Sequence, residues 1–363
     1  MNGLQQLHQA GQSVWLDNIR RDLLTSGTLS RYIADYAVTG VTSNPTILEK
    51  AISGSADYDD SVRAHLAAGH RDTEDLVFAL ALEDLVEAAD LLRPTFDATR
   101  GADGYVSVEV PPDLAHDAGA TVSAGRALFA RAGRPNLLVK VPGTPPGLVA
   151  VEELVGSGVP VNVTLLFSTA HYLAAAEAYL RGIEGRRARG LPLPVGSVAS
   201  LFVSRWDAAA DPTLPAGLRS RLGLAVVQKT YAAYCDLLAS ARWRSLAAGG
   251  ALPQKVLWAS TSTKNPDLPD TYYLGRLAAP ATIDTVPEPT LLAFGEHGAV
   301  CDLLQPDEAA AEETLARLAD AGVDLDGLAA QLQAKGAAAF SASWSALLTC
   351  VNDKIRALEP SAP

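Results

Sequence analysis

Cysteine is scarce in this sequence. There are three cysteines, widely spaced and without a Cys-x-x-Cys pair. An odd number at such distances predicts neither a disulfide framework nor a cysteine-rich zinc site. The six histidines form no cluster with metal-ligand spacing. We therefore expect no metal in this protein, and we expect a reduced, cytoplasmic protein.

Two further deficits exclude broad classes of partner. No uninterrupted apolar run reaches the length needed to cross a membrane. The 29 Lys and Arg residues are outnumbered by 41 Asp and Glu, and the formal net charge of −12 argues against non-specific binding to nucleic acid or anionic membranes. A phosphorylated small substrate is still compatible, because a few cations in one cleft act locally. No Gly-x-Gly-x-x-Gly follows a candidate strand, so a dinucleotide cofactor is not expected.

Short β-rich runs alternate with helical stretches through most of the chain. This alternation predicts parallel strands with right-handed crossovers, and eight such units favour a closed (β/α)8 TIM barrel over an open sheet. We expect a single domain over residues 1–363. The predicted strands are Ser13–Ile19, Val38–Asn44, Tyr105–Val110, Asn136–Val141, Val161–Phe167, Ser197–Val203, Lys255–Ser260 and Ala281–Val286.

The predicted helices include a C-terminal helical extension at about 290–358. Its last helix, Gly336–Leu358, places apolar residues three or four positions apart, which indicates a face that docks on the barrel. Packing explains this face most simply, and covering the barrel mouth is a second hypothesis. The face comprises Phe340, Trp344, Leu347, Val351, Ile355 and Leu358. The other predicted helices are Leu29–Tyr36, a long region through Arg93, Leu114–Arg131, Leu148–Val155, Thr169–Arg189, Leu218–Trp243 and Asp307–Asp320.

One predicted strand carries a lysine near its end. Lys140 stands in an apolar run that ends at Pro142–Gly143, a pattern typical of a strand with both faces covered. A buried ammonium either finds an anionic partner or gives up its proton, and an unprotonated amine is a nucleophile. The run alone leaves both a strand-end ion pair and a functional lysine open. Lys140 shares its parity with Leu138, so we expect both to face the barrel interior.

Polar residues recur at the carboxyl ends of the other predicted strands, where barrel enzymes carry their active sites. Each has a structural explanation by itself, such as a helix cap for Asp17 or a turn at Asn44–Pro45. Together they form what a barrel active site needs and a core does not tolerate. The strand-end residues are Asp17, Asn44, Glu109, Lys140, Asn162, Thr164, Ser200, Phe202, Arg205 and Ser260, with Lys264 in the loop that follows.

These residues lie in motifs that resemble those of the transaldolases. The chain is similar to the longer form of that family, common in actinobacteria and in fusions with phosphoglucose isomerase, over essentially its whole length. Val41-Thr42-Ser43-Asn44-Pro45-Thr46 and the segment around Lys140 are the most specific matches. Supporting matches are Val14-Trp15-Leu16-Asp17-Asn18, Asn162-Val163-Thr164-Leu165-Leu166-Phe167-Ser168, Ser200-Leu201-Phe202-Val203-Ser204-Arg205, Trp258-Ala259-Ser260-Thr261 and Ala342-Ser343-Trp344.

The resemblance implies a class I aldolase mechanism that needs no cofactor. Lys140 matches the Schiff-base lysine, which attacks the ketone of sedoheptulose 7-phosphate or fructose 6-phosphate. Asp17 matches the acid/base of carbon–carbon cleavage, while Glu109 and Thr164 match the pair that holds a catalytic water. The dihydroxyacetone unit passes to glyceraldehyde 3-phosphate or erythrose 4-phosphate, in the non-oxidative pentose phosphate pathway. The resemblance further implies that Asn44, Asn162 and Ser200 bind the dihydroxyacetone unit and that Arg205, assisted by Ser260, binds phosphate.

The sequence departs from the best-known bacterial transaldolases at a second phosphate-binding position. Where those enzymes carry an arginine shortly after the serine, this chain has Ser262-Thr263-Lys264-Asn265. We expect Lys264 to substitute as a point charge, and a solvated loop lysine is the alternative.

Several other functions stay open from sequence. A fructose-6-phosphate aldolase shares the barrel and the lysine. The resemblance separates the two, because that subfamily carries glutamine at the position of Glu109 and tyrosine at the position of Phe202. A non-catalytic sugar-phosphate-binding barrel is disfavoured by the catalytic set itself. An enzyme recruited to an unusual sugar in secondary metabolism is a further alternative. The sequence leaves a monomer and a homodimer equally open.

Overall fold

Eight parallel strands form a closed barrel. In the computed structural model, which describes residues 1–358, the strands follow chain order around the barrel and the last pairs with the first. The prediction of a (β/α)8 TIM barrel is confirmed. The strands are β1 (Ser13–Leu16), β2 (Val38–Thr42), β3 (Val106–Glu109), β4 (Leu137–Pro142), β5 (Val161–Leu166), β6 (Ser197–Phe202), β7 (Gln254–Ala259) and β8 (Ile283–Val286).

Helices separate the strands and continue beyond the last one. The region Leu218–Trp243, predicted as one helix, contains two α-helices with a break at Ser240, whose hydroxyl caps the second. The helices are α1 (Gly3–Gln9), α2 (Arg21–Thr25), α3 (Thr28–Tyr36), α4 (Pro45–Ser53), α5 (Asp59–Ala67), α6 (Thr73–Ala98), α7 (Ala118–Ala132), α8 (Pro145–Ser157), α9 (Thr169–Ala188), α10 (Ser204–Ala210), α11 (Leu222–Ala239), α12 (Ala241–Ala248), α13 (Glu288–His297), α14 (Glu308–Asp320) and α15 (Leu325–Leu358).

Several strands end earlier than the sequence predicts. β1 ends at Leu16 rather than Ile19, and β2 ends at Thr42 rather than Asn44. The reason is visible at Asn44, whose side chain accepts a hydrogen bond from the backbone N–H of Ile47 and caps α4. The chain thus leaves the sheet in order to begin the next helix.

The C-terminal helix α15 begins earlier than predicted and docks as predicted. It starts at Leu325 instead of Gly336 and packs mainly against α4, α5 and α6. Five residues of its predicted apolar face are buried and Leu358 is partly buried. Trp344 lies against Phe78 with ring centroids 5.3 Å apart. Among residues 1–358, no helix combines the length and apolarity that crossing a membrane requires.

Candidate active site

The strand-end lysine forms a buried ion pair with the neighbouring strand. Lys140 on β4 stands in register with Glu109 on β3, and the Lys140 Nζ to Glu109 Oε2 distance is 3.1 Å. Nζ also donates a hydrogen bond of 3.1 Å to the carbonyl oxygen of Ser43. Burial raises the pKa of Glu109, and the charge of Lys140 opposes that rise. A carboxyl with a raised pKa is suited to exchange a proton with the adjacent amine.

A second carboxyl, half-buried, lies on the same cleft as Lys140. Asp17 directly follows β1, and its Oδ1 accepts a hydrogen bond of 2.7 Å from the hydroxyl of Thr42. The Thr42 hydroxyl is in turn 2.7 Å from that of Thr285 on β8. Burial raises the pKa of Asp17, while the charge of Lys140 and the Thr42 hydrogen bond oppose the rise. Burial therefore raises the pKa of both carboxyls close to Lys140 above the pKa of an exposed acid.

Asn162 is fixed by hydrogen bonds from both sides. The Ser200 hydroxyl donates to Asn162 Oδ1 at 2.7 Å, and Asn162 Nδ2 donates to the Ser107 hydroxyl at 3.1 Å. These two hydrogen bonds, which span β3, β5 and β6, orient the amide. The predicted pairing of Asn162 and Ser200 at one site is consistent with this geometry.

Two buried residues, one on β3 and one on β5, have oxygens without hydrogen-bond partners among residues 1–358. They are Thr164, through Oγ1, and Glu109, through both carboxylate oxygens. The contact between Glu109 and Lys140 is thus an ion pair by distance rather than an aligned hydrogen bond. An unpartnered buried polar atom is costly, so each one calls for an explanation, and a bound group is one.

Two cations face each other at the other side of the mouth. Arg205 lies in the first turn of α10 with its guanidinium carbon 5.1 Å from the ring centroid of Phe202. Lys264 Nζ donates to the Ser262 hydroxyl at 2.7 Å. Burial lowers the pKa of both groups, and the charge of Arg205 lowers that of Lys264 further. Neither cation forms a salt bridge with a carboxylate in the described part of the chain, so together they favour an anion.

Ser260 stands between these cations and the strand end. The sequence predicts Ser260 as the last residue of its strand, but β7 ends one residue earlier, at Ala259. Ser260 adopts a positive φ of 56°. Its hydroxyl lies 3.1 Å from that of Ser204. A serine in the left-handed region is strained, and such strain is more frequent at functional sites than elsewhere.

One cleft of about 190 Å³ brings these groups together. All but one of the predicted site residues line it. The exception is Glu109, which lies behind Lys140 and reaches the cleft through it. Asn44 lines the cleft and also caps α4. The lining residues are Asp17, Asn44, Lys140, Asn162, Thr164, Ser200, Phe202, Arg205, Ser260 and Lys264, together with Thr42, Ala259, Ser262, Thr285, Pro287 and Phe340.

Sequence reasoning missed part of this lining. Thr42 lies in the Val41–Thr46 motif, and Ser262 lies in the loop that carries Lys264. Their polar neighbours in sequence are the one signal that could have identified them as lining residues. Phe340 was assigned to the packing face of the last helix, and its 6 % exposed ring does pack. Nothing in an apolar stripe distinguishes the member that reaches a strand end from those that cover helices.

Comparison with known proteins gives the family. The model of the family described as transaldolase/fructose-6-phosphate aldolase matches residues 14–351. The chain belongs to this family. It is 44% identical to a transaldolase of Saccharopolyspora erythraea over 361 residues, covering 98% of each chain. It is 45% identical to one of Thiobacillus denitrificans over 358 residues, covering 96% of this chain and 99% of the relative. A transaldolase 2 of Nostoc punctiforme is 40% identical over 382 residues and 99% of each chain.

Membership of the transaldolase/fructose-6-phosphate aldolase family agrees with the resemblance seen in the motifs. The match extends from β1 into α15 and so includes every element that contributes to the cleft. The family description covers two activities, transaldolase and fructose-6-phosphate aldolase. The choice between the two rests on individual residues of the site.

Proposed function

We propose that this chain transfers a dihydroxyacetone unit from a ketose phosphate to an aldose phosphate through an iminium on Lys140. The observation that carries the proposal is the buried Lys140–Glu109 pair at the end of neighbouring strands, on the cleft that Arg205 and Lys264 border. The curated relatives that cover nearly the whole chain are transaldolases. Sedoheptulose 7-phosphate or fructose 6-phosphate is the donor, and glyceraldehyde 3-phosphate or erythrose 4-phosphate the acceptor. These exchanges belong to the non-oxidative pentose phosphate pathway.

Formation of the iminium needs a neutral amine and a proton relay. Lys140 attacks the donor ketone after its extra proton has passed to a base, and Glu109 is the adjacent carboxylate. The carbinolamine then loses its hydroxyl as water. In this proposal Glu109 and Thr164 hold that water, which is supported by their unpartnered buried oxygens.

Cleavage needs a base for the donor hydroxyl and a sink for electrons. Asp17 takes the proton of the hydroxyl next to the bond that breaks, the electron pair of the bond moves into the iminium, and an aldose phosphate leaves. The raised pKa of Asp17 matches this task, since a stronger base accepts the proton more readily. The acceptor aldehyde then reacts with the enamine, and the same steps run in reverse.

Two sets of polar groups position the substrate in this proposal. Asn44, Asn162 and Ser200 bind the hydroxyls of the dihydroxyacetone unit. Arg205, Ser260 and Lys264 bind the phosphate at the other side of the cleft. The second assignment is supported by the mutual repulsion of the two cations, which a phosphate would relieve.

Transfer is favoured over release as an aldolase by two residues. The chain has glutamate at position 109 and phenylalanine at position 202. The resemblance implies glutamine and tyrosine at these positions in the aldolase subfamily. The test compares free dihydroxyacetone formation with erythrose 4-phosphate-dependent transfer from fructose 6-phosphate. Dominant release of free dihydroxyacetone would overturn the assignment.

The mechanism itself is tested by trapping. Borohydride added with fructose 6-phosphate should reduce the iminium to a secondary amine, and peptide mapping should find the adduct on Lys140. Lys140→Met serves as the matched control and should form no adduct. Absence of an adduct in the wild type, or an adduct on another lysine, contradicts the proposal.

We further propose that the protein acts in the cytoplasm as a monomer or homodimer. Cell fractionation tests the location, and light scattering tests the oligomeric state.

A further inference from the structure

The C-terminal helix α15 is anchored at the strand ends that carry the reacting groups. Gln333, Gly336 and Phe340 are spaced three and four residues apart and therefore share one face of the helix. Gln333 Nε2 donates to the carbonyl oxygens of Gly143 at 3.1 Å and Leu165 at 3.0 Å. These carbonyls belong to the end of β4 and to β5. The helix is thus tied directly to the two strands that bear the nucleophile and Thr164.

The helix α15 comes close to the barrel at Gly336. A Cβ added at Gly336 would lie 2.8 Å from Leu165 Cδ2, inside van der Waals contact. One turn further along the same face, the buried ring of Phe340 lies over the amine, with Lys140 Nζ 5.3 Å from the ring centroid. The separation is within the range of a cation–π interaction.

This ring gains importance when the amine becomes an iminium. The Lys140 ammonium donates to the Ser43 carbonyl and forms an ion pair with the Glu109 carboxylate. An iminium keeps the positive charge but has a single N–H, so it can donate to only one acceptor. The attraction of the Phe340 face depends on charge and not on N–H groups, and it persists in a dry site. The ring also covers the nitrogen against bulk water.

We propose that Phe340 is a specificity-determining residue that favours transfer of the dihydroxyacetone unit over its release as free dihydroxyacetone. The inference rests on the proposed function. Release begins when the enamine carbon takes a proton and restores the iminium. Water then adds its oxygen to the iminium carbon, both of its hydrogens end on the nitrogen, and the C–N bond breaks to give dihydroxyacetone and the lysine ammonium. Phe340 stabilises the cation before this step and limits access of the water.

The test measures the ratio of free dihydroxyacetone to transferred product in Phe340→Leu. Leucine keeps apolar volume but has no aromatic face, so the ratio should rise on the order of 10-fold and the borohydride-trapped adduct should decrease. Phe340→Tyr keeps the aromatic face and should show the same ratio as the wild type. Trp344→Phe, on the same helix against Phe78, is the control that should leave the ratio unchanged.

The outcomes separate this inference from the function beneath it. If the wild type forms no adduct on Lys140, the proposed function and the inference both fail. If the wild type is trapped on Lys140 while Phe340→Leu keeps the wild-type ratio within twofold, the inference alone fails. Should Phe340→Leu not fold, Phe340→Met carries the same test, and an unchanged ratio in it overturns the role of Phe340.

Discussion

Glu109 Oε2 lies 3.1 Å from Lys140 Nζ, with both side chains buried and their backbones in register on adjacent strands. Sequence alone left a strand-end ion pair and a functional lysine as alternatives. The structure shows the ion pair, and the proposed function assigns a chemical role to the same lysine. Moving one proton from the amine to the carboxylate removes both charges from a desolvated place. That exchange explains why a pair that costs desolvation is kept at the cleft.

Glu109→Gln should slow transfer with little change in KM. The amide keeps the volume but cannot take a proton, so kcat should fall about 10²-fold, the lower range for loss of a general acid or base. Steady-state kinetics with fructose 6-phosphate and erythrose 4-phosphate measure this. Circular dichroism verifies that the variant is folded. Unchanged turnover would remove Glu109 from the proposed relay.

Thr164→Val should separate activity from stability. The Thr164 hydroxyl is buried without a partner among the described residues, so replacing it with a methyl should leave the free energy of unfolding unchanged or raise it by about 1 kcal/mol. Turnover should nevertheless fall, because the proposed water loses a partner.

Thr121→Val is the matched control for that substitution. The Thr121 hydroxyl donates to the Leu114 carbonyl oxygen at 2.9 Å, away from the cleft. Its loss should cost about 1 kcal/mol of stability and leave turnover intact. Urea unfolding and initial rates distinguish the two variants, and a Thr164→Val enzyme with full activity would contradict the assignment.

Arg205→Ala should weaken phosphorylated substrates selectively. Loss of a charge-assisted hydrogen bond predicts a rise in KM for erythrose 4-phosphate of about 10- to 100-fold. The KM for unphosphorylated erythrose should change far less. Arg244→Ala, on exposed α12 away from the mouth, is the control. An equal loss on both acceptors would place the phosphate elsewhere.

Lys264→Ala should not lower the stability of the ligand-free protein. Lys264 and Arg205 repel each other, as the lowered pKa of Lys264 reflects, so removing one charge relieves strain. Inorganic phosphate should raise the melting temperature of the wild type and raise that of the variant less. Thermal unfolding with and without phosphate tests this, and an identical phosphate shift in both would assign Lys264 to solvent.

Asp207→Asn should change how stability depends on pH. Asp207 is buried in α10 and accepts hydrogen bonds from Tyr273 and the Gly223 backbone, and burial raises its pKa from 3.8 to about 6. Between these values the folded protein holds a proton that the unfolded chain has lost, so stability falls as pH rises through that window.

The Asp207 effect has a size and a control. Two units at about 1.4 kcal/mol each correspond to about 3 kcal/mol, which Asp207→Asn should recover relative to the wild type by pH 6. Urea unfolding at several pH values measures the difference. Asp60→Asn, whose carboxylate is 98% exposed, should follow the wild-type curve. Parallel curves for Asp207→Asn and wild type would contradict the prediction.

The sequence by itself determined the fold class and most of the site. Strand and helix periods are local properties of the chain, so all eight strands were found, with errors at ends where residues such as Asn44 leave the sheet to cap a helix. Because parallel strands of a barrel deliver their carboxyl ends to one face, the polar residues near the ends of seven of the eight predicted strands also predicted a common cleft.

Tertiary structure alone decided which groups meet. The pairing of Lys140 with Glu109 depends on the register of two strands, and the approach of Lys264 to Arg205 depends on a loop with no periodic pattern. Phe340 reaches the amine only because α15 docks across the barrel, with Gly336 allowing close contact. An apolar stripe specifies that a helix packs, and only the packed structure shows which residue of the stripe lies over the nucleophile.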